Sequence, residues 1–192
     1  MRHARQTDRL FFAVIPPSDM ARRIGDLAWR EREFHGLSGR PLAAGHFHAT
    51  LLHIVDDCLA PPLALTRKLA RRAASVDMPA FRVSFDRIMS FRNGAFVLCG
   101  GEGLVGLEIL RDRLMMSVGI GCSEKAFTPH VTLLRDTRQV PSFDIEPPIE
   151  WTVSEFILVH SLLGRTTHRH VARLPLLARP QTKTGRIAAG PE

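Results

Sequence analysis

HFHATLLHI at residues 46–54 and FTPHVTLL at residues 127–134 are apolar, β-prone stretches, and each carries a His-x-Thr: His48-Ala49-Thr50 and His130-Val131-Thr132. Successive side chains on an extended strand alternate between faces, so each histidine shares a face with its own threonine. One His-x-Thr arises readily by chance, and a lone histidine beside an apolar strand is ordinarily a hydrogen-bonded structural residue. Two copies, each followed by leucine, make an internal repeat of a candidate site. If the two strands face one cleft, that cleft receives two imidazoles and two hydroxyls. Such a set can move two protons and hold a phosphate without a metal ion.

Around these strands the chain punctuates itself clearly. Leu10 to Ile15 is a short apolar strand stopped by Pro16-Pro17, and Ser18 and Asp19 offer N-caps for a helix to about Phe34 with Met20, Ile24, Leu27 and Ala28 on one stripe. The first motif strand is expected over about 47–55. Pro61-Pro62 opens a second helix to about Ala74. Phe81 to Met89 alternates as a strand, and the turn signal Arg92-Asn93-Gly94 returns Ala95 to Cys99 as its hairpin partner. A third helix, 103–118, turns Leu104, Leu107, Leu110, Leu114 and Val118 inward. Strands are then expected at 128–134, at 151–160 and from His168 to Leu176. This order predicts an α+β fold with mainly antiparallel sheets: two similar α+β halves, bilobal, around a central cleft. Residues 1–8 read as a flexible leader, 9–176 as one domain, and 177–192 as a disordered basic tail.

The chain has 26 Lys plus Arg against 19 Asp plus Glu, a formal +7, and its only lysines are Lys68, Lys125 and Lys183. An arginine-rich cationic surface favours an anionic partner, although net charge alone identifies no ligand. Cys58, Cys99 and Cys122 are isolated, which argues against a disulfide framework or a structural zinc site. No stretch approaches the ~20 apolar residues needed to span a bilayer, and the segment after the basic start is too short for a signal peptide core. A cytoplasmic protein that touches no membrane is expected. With no heptad seam, a monomer is the default.

With these motifs placed, the chain resembles the 2H phosphoesterase superfamily, named for paired His-x-Thr/Ser motifs, and within it the RNA 2′,3′-cyclic phosphodiesterases, also called 2′-5′ RNA ligases. The likeness runs over nearly all of residues 9–176. It includes Arg9-Leu10-Phe11-Phe12-Ala13, His48 to Leu51, Phe127 to Arg135, and Phe156-Ile157-Leu158-Val159-His160-Ser161. It implies a catalytic pair at His48 and His130, phosphate-gripping hydroxyls at Thr50 and Thr132, Phe12 beneath the terminal nucleotide and Arg135 near the phosphate. It also implies opening of the 2′,3′-ring to a 2′-phosphate, with the 3′-oxygen leaving. His46 departs from the family pattern ahead of the first motif.

The residues support that chemistry on their own terms. Imidazole titrates near neutrality, so one histidine can deprotonate water while the other protonates the leaving alkoxide, each worth ~10²–10⁴-fold. Thr50 and Thr132 can donate to the non-bridging oxygens. The same pair could also join a cyclic or 2′-phosphate end to a 5′-hydroxyl. Strict alternation places Arg135 on the face opposite the motif unless the strand ends or bulges there. Phe127 could stack on a base. A metal reading of His46, His48 and His53 with Asp56 and Asp57, or of His160, His168 and His170, leaves the second His-x-Thr unexplained, and alternation turns His53 away from His46 and His48. No metal or cofactor is therefore expected. The expected partner is RNA with 2′,3′-cyclic phosphate ends; the rivals are a small cyclic nucleotide or other cyclic phosphate as substrate, and a non-catalytic RNA-binding module.

Overall fold

The structure is a computed structural model that describes residues 8–58, 61–120, 127–162 and 167–177. Eight described strands form one sheet. They are β1 (Asp8–Val14), β2 (Ala49–Cys58), β3 (Phe81–Ser90), β4 (Ala95–Cys99), β5 (Val131–Arg135), β6 (Phe143–Val153), β7 (Glu155–Leu162) and β8 (Thr167–Pro175). The helices are α1 (Ser18–Phe34), α2 (Leu63–Ala73) and α3 (Val105–Val118), the last entered through a short 3₁₀ turn at Glu102–Leu104. The sheet order is β6-β3-β4-β5-β2-β1-β7-β8, and all of its ladders are antiparallel. The expected α+β class with antiparallel pairing is what the chain adopts.

The two motif strands are neighbours at the middle of this order. Four strands lie on each side: β2, β1, β7 and β8 on one, β5, β4, β3 and β6 on the other. One ladder pair, Ala49 with Val131, joins the sides. Both of these are the middle residue of a His-x-Thr, and both are buried in the main core. All three helices cover one face of the sheet, where Ile24, Leu27, Leu69, Leu107, Leu110 and Leu114 meet Phe12, Phe85, Phe96 and Leu133. On the open face sit two smaller apolar clusters, one per side: Phe11, Ala13, Ile157 and Val159, and Ala95, Val97 and Cys99.

Four details differ from the sequence expectation. The helix α1 starts on Pro17 as its cap residue, with no side-chain cap, and Asp19 lies in the first turn. Proline's fixed φ suits a helix entrance, and an acidic residue there opposes the positive end of the helix dipole. The single strand expected over 151–160 is two strands, β6 and β7, divided at Ser154. Pro147-Pro148 hid the first half of β6, but β6 is an edge strand, where a missing backbone donor costs no ladder bond. Finally, β1 begins at Asp8, inside the segment read as leader, and β2 runs on to Cys58, past the end expected at about residue 55. The remainder of the leader and residues 178–192 lie outside the described residues.

The turn between β3 and β4 fits its sequence. Gly94 has φ +81°, and a Cβ there would lie 2.7 Å from the carbonyl oxygen of Asp136. That proximity lets the Asp136 N–H donate to the Gly94 carbonyl at 2.9 Å. The Asp136 carboxylate in turn accepts from the Ser38 and Gly39 amides at 2.6 and 2.7 Å. The loop before the first motif is thus tied to the end of the second motif strand.

Candidate active site

A cleft of about 370 Å³ lies over the seam between β2 and β5, on the face the helices leave open. His48, Thr50, His130 and Thr132 all line it. Antiparallel register around the Ala49–Val131 pair sets His48 across from Thr132 and Thr50 across from His130. Each imidazole therefore faces the hydroxyl of the other motif.

Both histidines are oriented by the backbone in the same way. His48 Nδ1 lies 2.7 Å from the carbonyl oxygen of His46, and His130 Nδ1 lies 2.7 Å from that of Thr128. A carbonyl oxygen only accepts, so in each ring Nδ1 carries the proton and donates. The neutral ring then presents an Nε2 lone pair and the charged ring an Nε2–H. A phenylalanine from the neighbouring strand region backs each ring: Phe11 against His48 at 5.1 Å between centroids, and Phe91 against His130 at 4.8 Å. Burial pushes both imidazoles below their ordinary 6.5, outweighing the carbonyl bonds that favour the charged form. Positive charge on His130 and then His53 adds to the lowering at His48. Arg135 and then His53 do so at His130.

A bulge repeated after each motif decides what else reaches the cleft. In the β1–β2 ladder, Phe12 pairs with Leu52 and Ala13 with Thr50, so Leu51 is the extra residue. In the β4–β5 ladder, Phe96 pairs with Leu134 and Val97 with Thr132, so Leu133 is the extra residue. Leu51, Leu52, Leu133 and Leu134 are all buried in the core beneath the helices. One residue of parity is consumed in each strand, and the next side chain returns to the open face. Arg135 therefore does line the cleft. So does His53, contrary to the alternation that turned it away from His48.

The aromatic assignments need correction. Phe12 has 0% exposure, packs against Phe156 at 6.1 Å, and belongs to the helix-side core. Phe11, one residue earlier and of opposite parity, lines the cleft. Arg9 has the parity of Phe11 and was the available signal, since a charged residue marks the wetter face. Phe127 is not among the lining residues; its ring lies 4.7 Å from the Arg111 guanidinium carbon, a cation–π contact on α3. Phe91 and Arg9 carry no motif that marks them, and His53 enters the sequence reading only in the metal set that alternation argued against.

The second histidine group separates. His160 Nε2 lies 2.7 Å from the Asp8 carboxylate, and its ladder partner Leu10 belongs to the helix-side core. His168 instead enters the cleft, 5.2 Å from His48 and 5.0 Å from His46 between ring centroids. Among the described residues no group of three histidine, cysteine or carboxylate side chains is arranged to hold a metal ion. No described helix is long and apolar enough to cross a membrane.

Burial, then the neighbouring imidazoles, lower His168 to about 4. Unfolded, it takes a proton near 6.5. Above 6.5 both states are neutral; as pH falls from 6.5 towards 4 only the unfolded chain is protonated, so stability drops across that window. Thermal unfolding followed from pH 7 to pH 4 should show this loss, and His168→Gln should reduce it. An equal loss in the variant would refute the assignment.

The sequence profile of the 2′-5′ RNA ligase superfamily matches residues 16–165. The RNA 2′,3′-cyclic phosphodiesterase of Escherichia coli strain K12 is 31% identical over 175 residues, spanning 86% of this chain and 93% of its own. The crystal structure of E. coli LigT in apo form superposes with a TM-score of 0.71 at 28% identity, covering 89% of this chain and 98% of that one. The crystal structure of TT0787 of Thermus thermophilus superposes at 0.63 with 25% identity, covering 87% and 97%.

Proposed function

The chain belongs to the 2′-5′ RNA ligase superfamily, and we propose that it opens 2′,3′-cyclic phosphate ends of RNA to 2′-phosphates, with His48 and His130 as the general acid–base pair. The observation that carries this reading is the matched orientation of the two rings. Each is locked by the backbone carbonyl two residues before it with Nε2 available, and both line one cleft with both threonines.

One neutral imidazole takes a proton from water as the water oxygen bonds to phosphorus. The P–O3′ bond breaks, and the second, protonated imidazole gives its Nε2 proton to the departing 3′-oxygen. The threonine hydroxyls donate to the non-bridging oxygens, and the Arg135 guanidinium offsets their charge. These groups supply proton transfer and charge stabilisation with no metal ion in the scheme. A cleft of about 370 Å³ suits one terminal nucleotide, with Phe11 as its apolar wall and the remainder of the strand outside. With a 5′-hydroxyl in place of water as the nucleophile, the same steps join a cyclic phosphate end to it, a 2′-5′ ligation, the P–O3′ bond again breaking and the 3′-oxygen again taking the proton.

The direct test offers an oligoribonucleotide with a 2′,3′-cyclic phosphate end, and 2′,3′-cyclic AMP, in the presence of a chelator. Hydrolysis to a 2′-phosphate is expected, with a bell-shaped pH dependence of kcat/KM that peaks on the acid side of neutrality because both imidazoles titrate below 6.5. Turnover of the mononucleotide alone would favour a small cyclic phosphate as substrate. Salt-sensitive RNA binding without turnover of either compound would replace the enzyme with a binding module.

A further inference from the structure

His53 occupies, in the first half of the site, the position that Arg135 occupies in the second. The two stretches read His48-Ala49-Thr50-Leu51-Leu52-His53 and His130-Val131-Thr132-Leu133-Leu134-Arg135, and the same bulge falls after the threonine in each. Their ladder partners agree: His53 pairs with Phe11, and Arg135 with Ala95, both members of open-face clusters. The Phe11 ring stands 5.1 Å from His48 and 5.7 Å from His53, so the three rings form one wall of the cleft. Among the described residues, His53 is also the one whose charge is felt at both His48 and His130.

We propose that His53 is a phosphate-contacting cation, the counterpart of Arg135 across the seam, which engages the anion only while its imidazole is protonated. This rests on the reading of the cleft as a phosphate site. A guanidinium is charged at every working pH, whereas an imidazole offers an anion a charged donor only when it is protonated. Anion affinity then carries a pH dependence separate from that of the proton-transfer pair. The other charged or titratable groups that line the cleft with His53 are Arg9 on β1, His46 and His48 before β2, His130 and Arg135 at β5, and His168 on β8. His168, lowered to about 4, stays neutral throughout the window of interest.

The test removes the catalytic pair from the titration. In a His48→Asn/His130→Asn chain, sulfate keeps its charge between pH 5.5 and 8, and its dissociation constant is followed by NMR titration. Affinity should weaken about tenfold, or about 1.4 kcal/mol, from pH 5.5 to 8. Adding His53→Gln should abolish the difference, leaving weak binding at both pH values. Adding His53→Arg should give tight binding at both. A pH dependence that survives His53→Gln, an arginine variant that still loses affinity at pH 8, or no sulfate binding at pH 5.5 overturns the proposal. Turnover of the cyclic phosphate by the unaltered chain tests the enzymatic reading separately, so the two can fail independently.

Discussion

Replacing either imidazole, His48→Ala or His130→Ala, is expected to lower kcat on a 2′,3′-cyclic phosphate end by about 10²–10⁴-fold. In the proposed mechanism each ring performs a distinct half of the reaction. Phe11 and Phe91 hold the two rings from behind, and the backbone carbonyls of His46 and Thr128 fix which nitrogen is available. The double variant should be little worse than the poorer single one, because once one proton transfer fails the other gains nothing. The pH profile adds a second readout: each single variant should lose one limb of the bell and keep the other. Steady-state rates across pH 5 to 8.5 would check this. Full activity in either single variant would remove the acid–base assignment.

The second large effect is expected at the hydroxyls. Thr50→Val and Thr132→Val preserve shape and β-branching, so β2 and β5 should be undisturbed, yet each removes one proposed donor to the phosphate oxygens. Loss of a donor aimed at charge that develops in the transition state typically costs about 10²–10³ in kcat. The loss should appear in kcat more than in KM, and Thr→Ser at either position should restore most of it. If valine variants turn over at the parent rate, the threonines serve the strands and not the phosphate. Because Thr50 lies across from His130 and Thr132 across from His48, coupling should be strongest between residues of different motifs. A double-mutant cycle on Thr50 with His130, compared with Thr50 with His48, would measure it.

Much of this architecture is legible in the chain before any coordinates. Helix α1 announces itself through a stripe at helical spacing and a proline pair at its start, and the hairpin at Arg92-Asn93-Gly94 through its turn residues. The repeated His-x-Thr locates both halves of the site. Two kinds of information are hidden. Strand β6 is masked by Pro147-Pro148, whose tolerance depends on lying at the sheet edge, a fact of topology rather than of local sequence. The bulges are masked because a strict period of two is the default reading of any strand. Leu51-Leu52 and Leu133-Leu134 were nonetheless a clue, since two adjacent leucines on a one-sided sheet fit only if the parity slips between them. That slip moves His53 and Arg135 to the open face. Phe12, placed at the site by resemblance alone, stands one residue along a run that is apolar on both faces, and Phe11 is the member with cleft-side parity.

The groups that hold the two imidazoles in register are peptide oxygens. Unlike the carboxylate of a serine-protease-like relay, they have no proton to gain anywhere in the working pH range, so acid cannot unlatch the rings. They are also silent to ordinary mutagenesis: changing His46 or Thr128 to any other residue leaves the acceptor where it was. A scan of side chains at these two positions would therefore miss what the two carbonyls contribute. Only altering the main chain itself, for example by deforming the turns that carry those two oxygens, would expose the dependence.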